Sequence, residues 1–251
     1  MRALVAAVAA ALICAGPAWA DDPPSCAVPH HLLFGDNSLR RVAASVAKQH
    51  QFTVVVVGSG SSTLAGPDGS SFAYPARLES ILNQKLQGVT AKVVPRLKSG
   101  QTAEDMNRAV KSLLVDEKPD LVIWQTGTVD AMRRIGPDEF RGALEDGVAK
   151  LQAGGADVIL MNMQYSPRTE SMIAVGPYAD NMRAVAQQRE VPLFDRFGIM
   201  HYWAEEGAFD FSVAGRDNAL ARRVHDCIGR AMAALIIEDA HLHKFEVKAA
   251  Q

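Results

Sequence analysis

The sequence predicts an α/β fold: a three-layer α/β/α sandwich on a parallel, flavodoxin-like sheet. Three observations carry that expectation. Five short runs are almost continuously apolar: "FTVVVV" (52–57), "TAKVVP" (90–95), "DLVIWQ" (120–125), "ADVILMN" (156–162) and "VPLFD" (191–195). Strands buried on both faces have that composition. Segments of helical periodicity, each ten residues or more, separate them, which is the pattern of strand–helix–strand units. No linker, repeat or low-complexity tract interrupts 51–242, so one domain holds them all.

The elements follow in order. Asp21 to about His31 is Pro-rich and reads as extended, and 21–50 as a whole is an extended entry segment with a helix. "YPARLESILNQKL" (74–86) has apolar residues at helical spacing, with Pro75 where a first turn tolerates it. "TAEDMNRAVKSLLVDE" (102–117) opens with Thr102 and Asp105, an N-cap and an acidic first turn. "PDEFRGALEDGVAKLQAG" (137–154) stops at Gly154-Gly155. A helix is expected around 169–189 and a long one over 217–240, with 243–251 as a tail. Right-handed crossovers put every strand-to-helix loop at the carboxyl edge of the sheet. The informative loops are therefore 58–73, 96–101, 126–136, 163–168 and the segment before the last helix.

Residues 1–20, "MRALVAAVAAALICAGPAWA", have one Arg, an apolar run and Ala18-Trp19-Ala20 before Asp21-Asp22. That is the layout of a cleaved secretory signal, with cleavage after Ala20 and a periplasmic or secreted product. The run is too short for a stable membrane span. Ile13 before Cys14 is unlike the small residue a lipoprotein site uses. The 26 Lys and Arg against 28 Asp and Glu give a net charge of −2. That balance gives no reason to expect nucleic acid or an anionic membrane as partner. Cleavage would leave Cys26 and Cys227 near opposite ends of the mature chain. In an oxidising compartment they are expected to pair, the alternative being two separate buried thiols.

The loop after the first strand, "GSGSSTLAG" (58–66), is a weak dinucleotide fingerprint. Thr63 stands where the third Gly belongs, and the next strand ends in Val94-Pro95-Arg96, without an acidic residue for a ribose. No Gly-Lys-Ser/Thr follows, so it is not a phosphate loop of the Walker type. A Ser just past a buried strand, beside backbone N–H groups, suits acyl transfer. The plainer reading is a Ser/Gly turn whose hydroxyls cap backbone.

Over about 50 to 240 the order of blocks resembles the SGNH/GDSL hydrolases, an α/β/α superfamily of esterases, lipases and carbohydrate acyl-esterases. Gly60-Ser61-Ser62 with Gly66 matches the spacing of the family's Gly-Asp-Ser block, which implies Ser62 as nucleophile. A register fixed by Thr63 implies Ser61 instead, and one fixed by Val57 falls on Gly60. "KSGQTAEDM" resembles the second block, so Gly100 is implied as an oxyanion donor. "WQTGTVDAM" keeps Gly127 and Asp130 of the third block but has Val129 in place of its Asn. Loss of one oxyanion donor costs roughly 3–4 kcal/mol in enzymes that rely on it. The final Asp-x-x-His block is not intact. His225 is the implied base, but Arg222 stands three residues earlier, and an Arg cannot orient an imidazole as a carboxylate does. A second alignment puts the base position near Ala219 and leaves His225 packing inside the last helix. Asp217 and Asp226 are the nearby carboxylates.

Tyr165 and Arg168 follow the fourth strand and are expected at the substrate edge, with Asp130. Trp124 reads as core. His201, Tyr202 and Trp203 read as a pocket rim or a helix packing face. His241 and His243 come without Cys, Asp or Glu at ligand spacing, and they, like His30-His31, give no metal site. No cofactor is implied. The resemblance implies a serine ester hydrolase acting on a small-molecule or carbohydrate ester, or a non-catalytic relative that binds a glycan or other envelope ligand in the cleft.

Overall fold

The protein is described here by a computed structural model over residues 26–212 and 218–247. Five strands form one wholly parallel sheet in the order β2-β1-β3-β4-β5. They are β1 (Gln51–Gly58), β2 (Thr90–Leu97), β3 (Leu121–Gln125), β4 (Asp157–Met161) and β5 (Leu193–Phe194). Side chains alternate faces along a strand. In β1, Phe52, Val54 and Val56 enter one core with the helices Arg40–Gln49, Tyr74–Lys85, Arg196–Glu205 and Ala219–Asp239. Val55 and Val57 enter the other, under Ala103–Glu117, Pro137–Ala153 and Val175–Arg189. The expected three layers are thus formed.

Local signals set the helix ends. Thr102 Oγ1 accepts the Asp105 N–H, and the Asp105 carboxylate accepts the Thr102 N–H, a reciprocal capping box. At the amino edge, Asp120 accepts from Arg41 Nε at 2.9 Å, Ser45 Oγ at 2.6 Å and the Thr53 N–H at 2.9 Å. Asp157 Oδ2 accepts the Val42 N–H at 3.0 Å. These two carboxylates pin the helix Arg40–Gln49 to β1, β3 and β4.

The helix expected around 169–189 is two helices, Pro167–Met172 and Val175–Arg189. The reason is Pro177. In a continuous helix its ring would strike the carbonyl four residues back, at Ile173. In the first turn of a new helix it is harmless. The loop 126–136 contains a short helix, Thr128–Met132, and the entry segment turns helical at His30–Leu33. The signal-peptide expectation for 1–20 lies outside the described residues. Among the described residues no helix is long and apolar enough to cross a membrane.

Cys26 and Cys227 form a disulfide between the entry segment and the last helix, 201 residues apart in sequence. A crosslink of that span removes much of the unfolded chain's freedom. Replacing both cysteines with Ser is expected to cost roughly 2–5 kcal/mol of unfolding free energy in denaturant titrations. Reductant should lower the midpoint of the wild type and leave the double variant unmoved.

Candidate functional site

β1 and β3 are paired neighbours, but the chain leaves β1 for β2 on one side and β3 for β4 on the other, so the loops that follow them run in opposite directions. Such a switch point opens a crevice. The serine loop leaves β1 there and forms a single turn of 3₁₀ helix, Gly60–Ser62. Gln125, the last residue of β3, lies directly beneath it and is fully buried.

The Gln125 amide takes up three groups of the loop. Its Oε1 accepts from the Ser62 hydroxyl at 2.5 Å and from the Ser59 N–H at 3.3 Å. Its Nε2 donates to Ser61 Oγ at 3.0 Å. Those partners assign the orientation of the amide. Gly58 makes the contact possible: a Cβ there would sit 2.8 Å from Gln125 Oε1 and 3.0 Å from Ser62 Oγ. The two candidate serines are therefore in different situations. Ser62 is 0% exposed and its proton is given to Gln125. Ser61 is half-buried and receives hydrogen bonds.

A second group reaches Ser61 from the other side. Arg196, in the first turn of the helix after β5, is 1% exposed. Its Nη1 lies 3.4 Å from Ser61 Oγ, and its Nη2 donates to the Ser61 carbonyl at 3.2 Å and to Gln164 Oε1 at 3.3 Å. Burial lowers its pKa to about 10, still well above neutrality. Tyr74 is completely buried, and its hydroxyl lies beside Ser62 without completing a hydrogen bond. Burial raises the Tyr74 pKa to about 12, more than Ser62 and the Arg196 charge lower it.

His225 lies inside the last helix at 5% exposure. Its Nδ1 accepts the Tyr74 backbone N–H at 2.9 Å. A nitrogen that accepts carries no proton, so the neutral ring holds its proton on Nε2. Burial first, and the Arg196 charge second, lower its pKa to about 3. The imidazole thereby caps the helix Tyr74–Lys85 instead of reaching a serine; among the described residues no hydrogen bond joins it to Ser61 or Ser62. Asp226 does not orient it, because its carboxylate is taken by Arg77 and Arg230. Arg222 stacks its guanidinium 3.9 Å over the Phe72 ring. Asp217 lies outside the described residues.

The remaining residues divide similarly. Gly100 lies exposed next to the serine loop, since Ser99 approaches Gly60. Arg133 is the nearest group above Gly100. Gly127 has φ +101°, and a Cβ there would strike Met163 Sδ at 2.5 Å. Its N–H is turned to the Asp130 carboxylate. Asp130 is buried; it accepts from the Ala103 N–H at 2.9 Å and from Thr126 Oγ1 at 3.3 Å, which ties the start of the helix Ala103–Glu117 to this loop. Burial raises its pKa. Val129 is half-buried beside it. Tyr165 packs edge-on against Phe197 and His201. Arg168 is exposed on the helix Pro167–Met172. Trp124 and Trp203 are buried, and Tyr202 is half-buried. His243 does have carboxylate partners, contrary to the expectation: it pairs with Glu238 at 2.9 Å and Glu246 at 2.8 Å, five residues before it and three after. Among the described residues no three His, Cys, Asp or Glu side chains gather as metal ligands.

Gln125, Arg196 and Tyr74 were not anticipated. The one signal for the first was a polar residue closing an apolar strand at the carboxyl edge. Arg196 follows β5 at that same edge, directly after the helix-capping Asp195. Tyr74 offered no signal.

The sequence profile of the non-GDSL lipase-like family matches residues 25–242, and the chain belongs to that family. The esterase TesA of Pseudomonas aeruginosa is 32% identical over 136 residues, which is 54% of this chain and 65% of TesA. The chain thus spans slightly less than two thirds of that relative. The crystal structure of TesA superimposes with a TM-score of 0.57 at 25% identity, over 73% of this chain and 99% of that one. A catalytic mutant of the acetylxylan esterase Axe2 from Geobacillus stearothermophilus gives 0.59 at 19% identity, over 74% and 94%. At that identity the likeness shows the fold alone.

The Gln125 contacts yield a direct expectation. Gln125→Ala leaves the buried Ser59 N–H and Ser62 hydroxyl without their acceptor, at about 1–3 kcal/mol for each unsatisfied group. Its unfolding free energy should fall accordingly, and the amides of residues 59–62 should exchange with solvent faster than in the wild type.

Proposed function

We propose that this member of the non-GDSL lipase-like family is an exported ester hydrolase in which Ser61 is the attacking hydroxyl. The observation that carries the reading is the pair of donors on Ser61 Oγ, Gln125 Nε2 at 3.0 Å and Arg196 Nη1 at 3.4 Å. Both favour the alkoxide over the hydroxyl, because hydrogen bonds and a nearby positive charge stabilise the ionised form. Ser62 has the opposite arrangement: it is buried and donates its proton to an amide oxygen.

The steps follow from that geometry. Ser61 loses its proton to water or hydroxide, and its oxygen attacks the ester carbonyl. The carbonyl electrons move onto oxygen, where backbone N–H groups of the loop and of Gly100 oppose the new charge. Collapse expels the alcohol, which takes a proton from water, and a second water releases the acid from Ser61. A positioned general base contributes about 10²–10⁴ in rate. With the His225 pKa at about 3 and its Nδ1 engaged, this site forgoes that contribution, and turnover is slow. Small acyl esters, including those on carbohydrates, are the substrate class. Export is supported by the pattern of residues 1–20 and by the disulfide, a bond that persists in oxidising compartments. No cofactor enters these steps.

A second reading, a non-catalytic cleft that binds an envelope ligand, is favoured by the capping role of His225 and by Val129. Hydrolysis of short p-nitrophenyl esters by the mature protein separates the two. Ser61→Ala should abolish activity, and Ser62→Ala should retain most of it. Between pH 6 and 9, kcat/KM should climb about tenfold per pH unit, as expected when hydroxide removes the proton. A plateau above pH 7 would reveal an imidazole base and sink the proposed mechanism. A folded protein inactive across the whole range would leave ligand binding as the account.

A further inference from the structure

The face of the sheet away from the serines holds a groove that no step above uses. It lies between β2, the outermost strand at that end of the sheet, and the helix Ala103–Glu117, and its volume is about 510 Å³. Ligand sites are commonly of that size, with apolar walls and a few polar groups. Its floor is Val57, Met106, Val110, Leu113 and Trp124. Val57 and Trp124 are paired across β1 and β3, and both pack in the core under this helix. The groups around the two serines, Tyr74, His225 and Arg196, stand on helices of the opposite layer. The groove is therefore separate from the serine cluster.

Its shape and charges suit one linear amphiphile. Met106, Val110, Leu113 and Glu117 follow one another along one helix face. From Met106 to Glu117 the helix rises about 16 Å. Trp124 Nε1 donates to Met106 Sδ at 3.1 Å, so the one polar atom of the indole is already engaged and the floor offers apolar surface. The charges divide by end. Arg96 and Glu117 pair with each other across the groove, from strand to helix. Asp116 lies beside Glu117, exposed. Lys98 is exposed at the other end, near the start of the helix, and among the described residues it has no carboxylate in ion-pair reach. An anionic head is drawn to the Lys98 end and repelled from the Asp116 end. The apolar floor between them gains by covering itself with a chain.

We propose that this groove binds a free long-chain fatty carboxylate, with the chain along the Val57 and Trp124 floor and the head at Lys98. The inference goes beyond ester hydrolysis and does not rest on it, because the groove lies on the other face of the sheet and uses no atom of Ser61.

The test titrates the mature protein with dodecanoate brominated at its terminal carbon, below its micelle concentration. Tryptophan fluorescence is followed, since bromine quenches an indole that it touches. Apart from Trp19 in the expected signal, the tryptophans are Trp124 at the groove and Trp203 in the other core. Saturable quenching is expected, equal in the wild type and in Ser61→Ala. Trp124→Phe should remove the quenched component and leave the Trp203 emission. Ala109 is an exposed helix residue that lines the groove. Ala109→Phe fills the groove from outside the core and should weaken binding about tenfold. Lys98→Met should weaken it roughly three- to fivefold, the worth of one exposed ion pair. If Trp124→Phe does not fold, Ala109→Phe still decides. The proposal is overturned if quenching does not saturate below about 1 mM, or if Ala109→Phe binds as tightly as the wild type. Quenching that persists in Trp124→Phe, or is lost in Ser61→Ala, overturns it by placing the chain elsewhere. Dodecanol brominated in the same way overturns it if it binds as tightly as the acid.

Discussion

The carboxyl edge of this molecule depends on one side-chain amide. Gln125 ends a strand whose other residues are apolar, and it uses both of its polar atoms to hold the loop from the neighbouring strand. Without it, a Ser59 N–H and a Ser62 hydroxyl would be left unpaired in the interior. With it, Ser62 is drawn inward and Ser61, the residue before it, is left half-buried. The absence of a side chain at Gly58 permits this arrangement, since the amide oxygen occupies the space a Cβ would need.

From that clamp the electrostatics of the cluster follow. Arg196 reaches the loop because Ser61 is held within its range, and its buried charge then acts on everything near it. It disfavours a proton on His225 and favours ionisation of Tyr74 and of Ser61. The imidazole is withdrawn to cap the start of the helix Tyr74–Lys85. The family's fold is retained, while the serine environment is built from an amide and a guanidinium, with no imidazole–carboxylate pair among the described residues.

The fold was legible because strands buried on both faces cannot hide their composition. "VVVV" in β1 and "LVI" in β3 have no polar alternative, and their order with the helices leaves few topologies. The break before Val175 was also written in the sequence, in Pro177, but periodicity alone runs across it. The site was less legible, because its contacts are long-range. Gln125 lies 63 residues from Ser62, and Arg196 lies 135 from Ser61. Block spacing could offer Ser61, Ser62 or Gly60 but could not choose among them. That choice depends on where the strand ends and on which hydroxyl Gln125 pulls inward. The role of His225 was undecidable for a related reason: its partner is a backbone N–H in a helix 151 residues away.

The central claim is that Ser61 is the available hydroxyl and Ser62 the clamped one. The most direct measurement is covalent: treat the mature protein with a fluorophosphonate at pH 9, digest it, and locate the adduct by fragmentation of the peptide that contains both serines. The account predicts phosphonylation on Ser61 and none on Ser62. An adduct on Ser62, or a folded protein that remains unmodified, contradicts it.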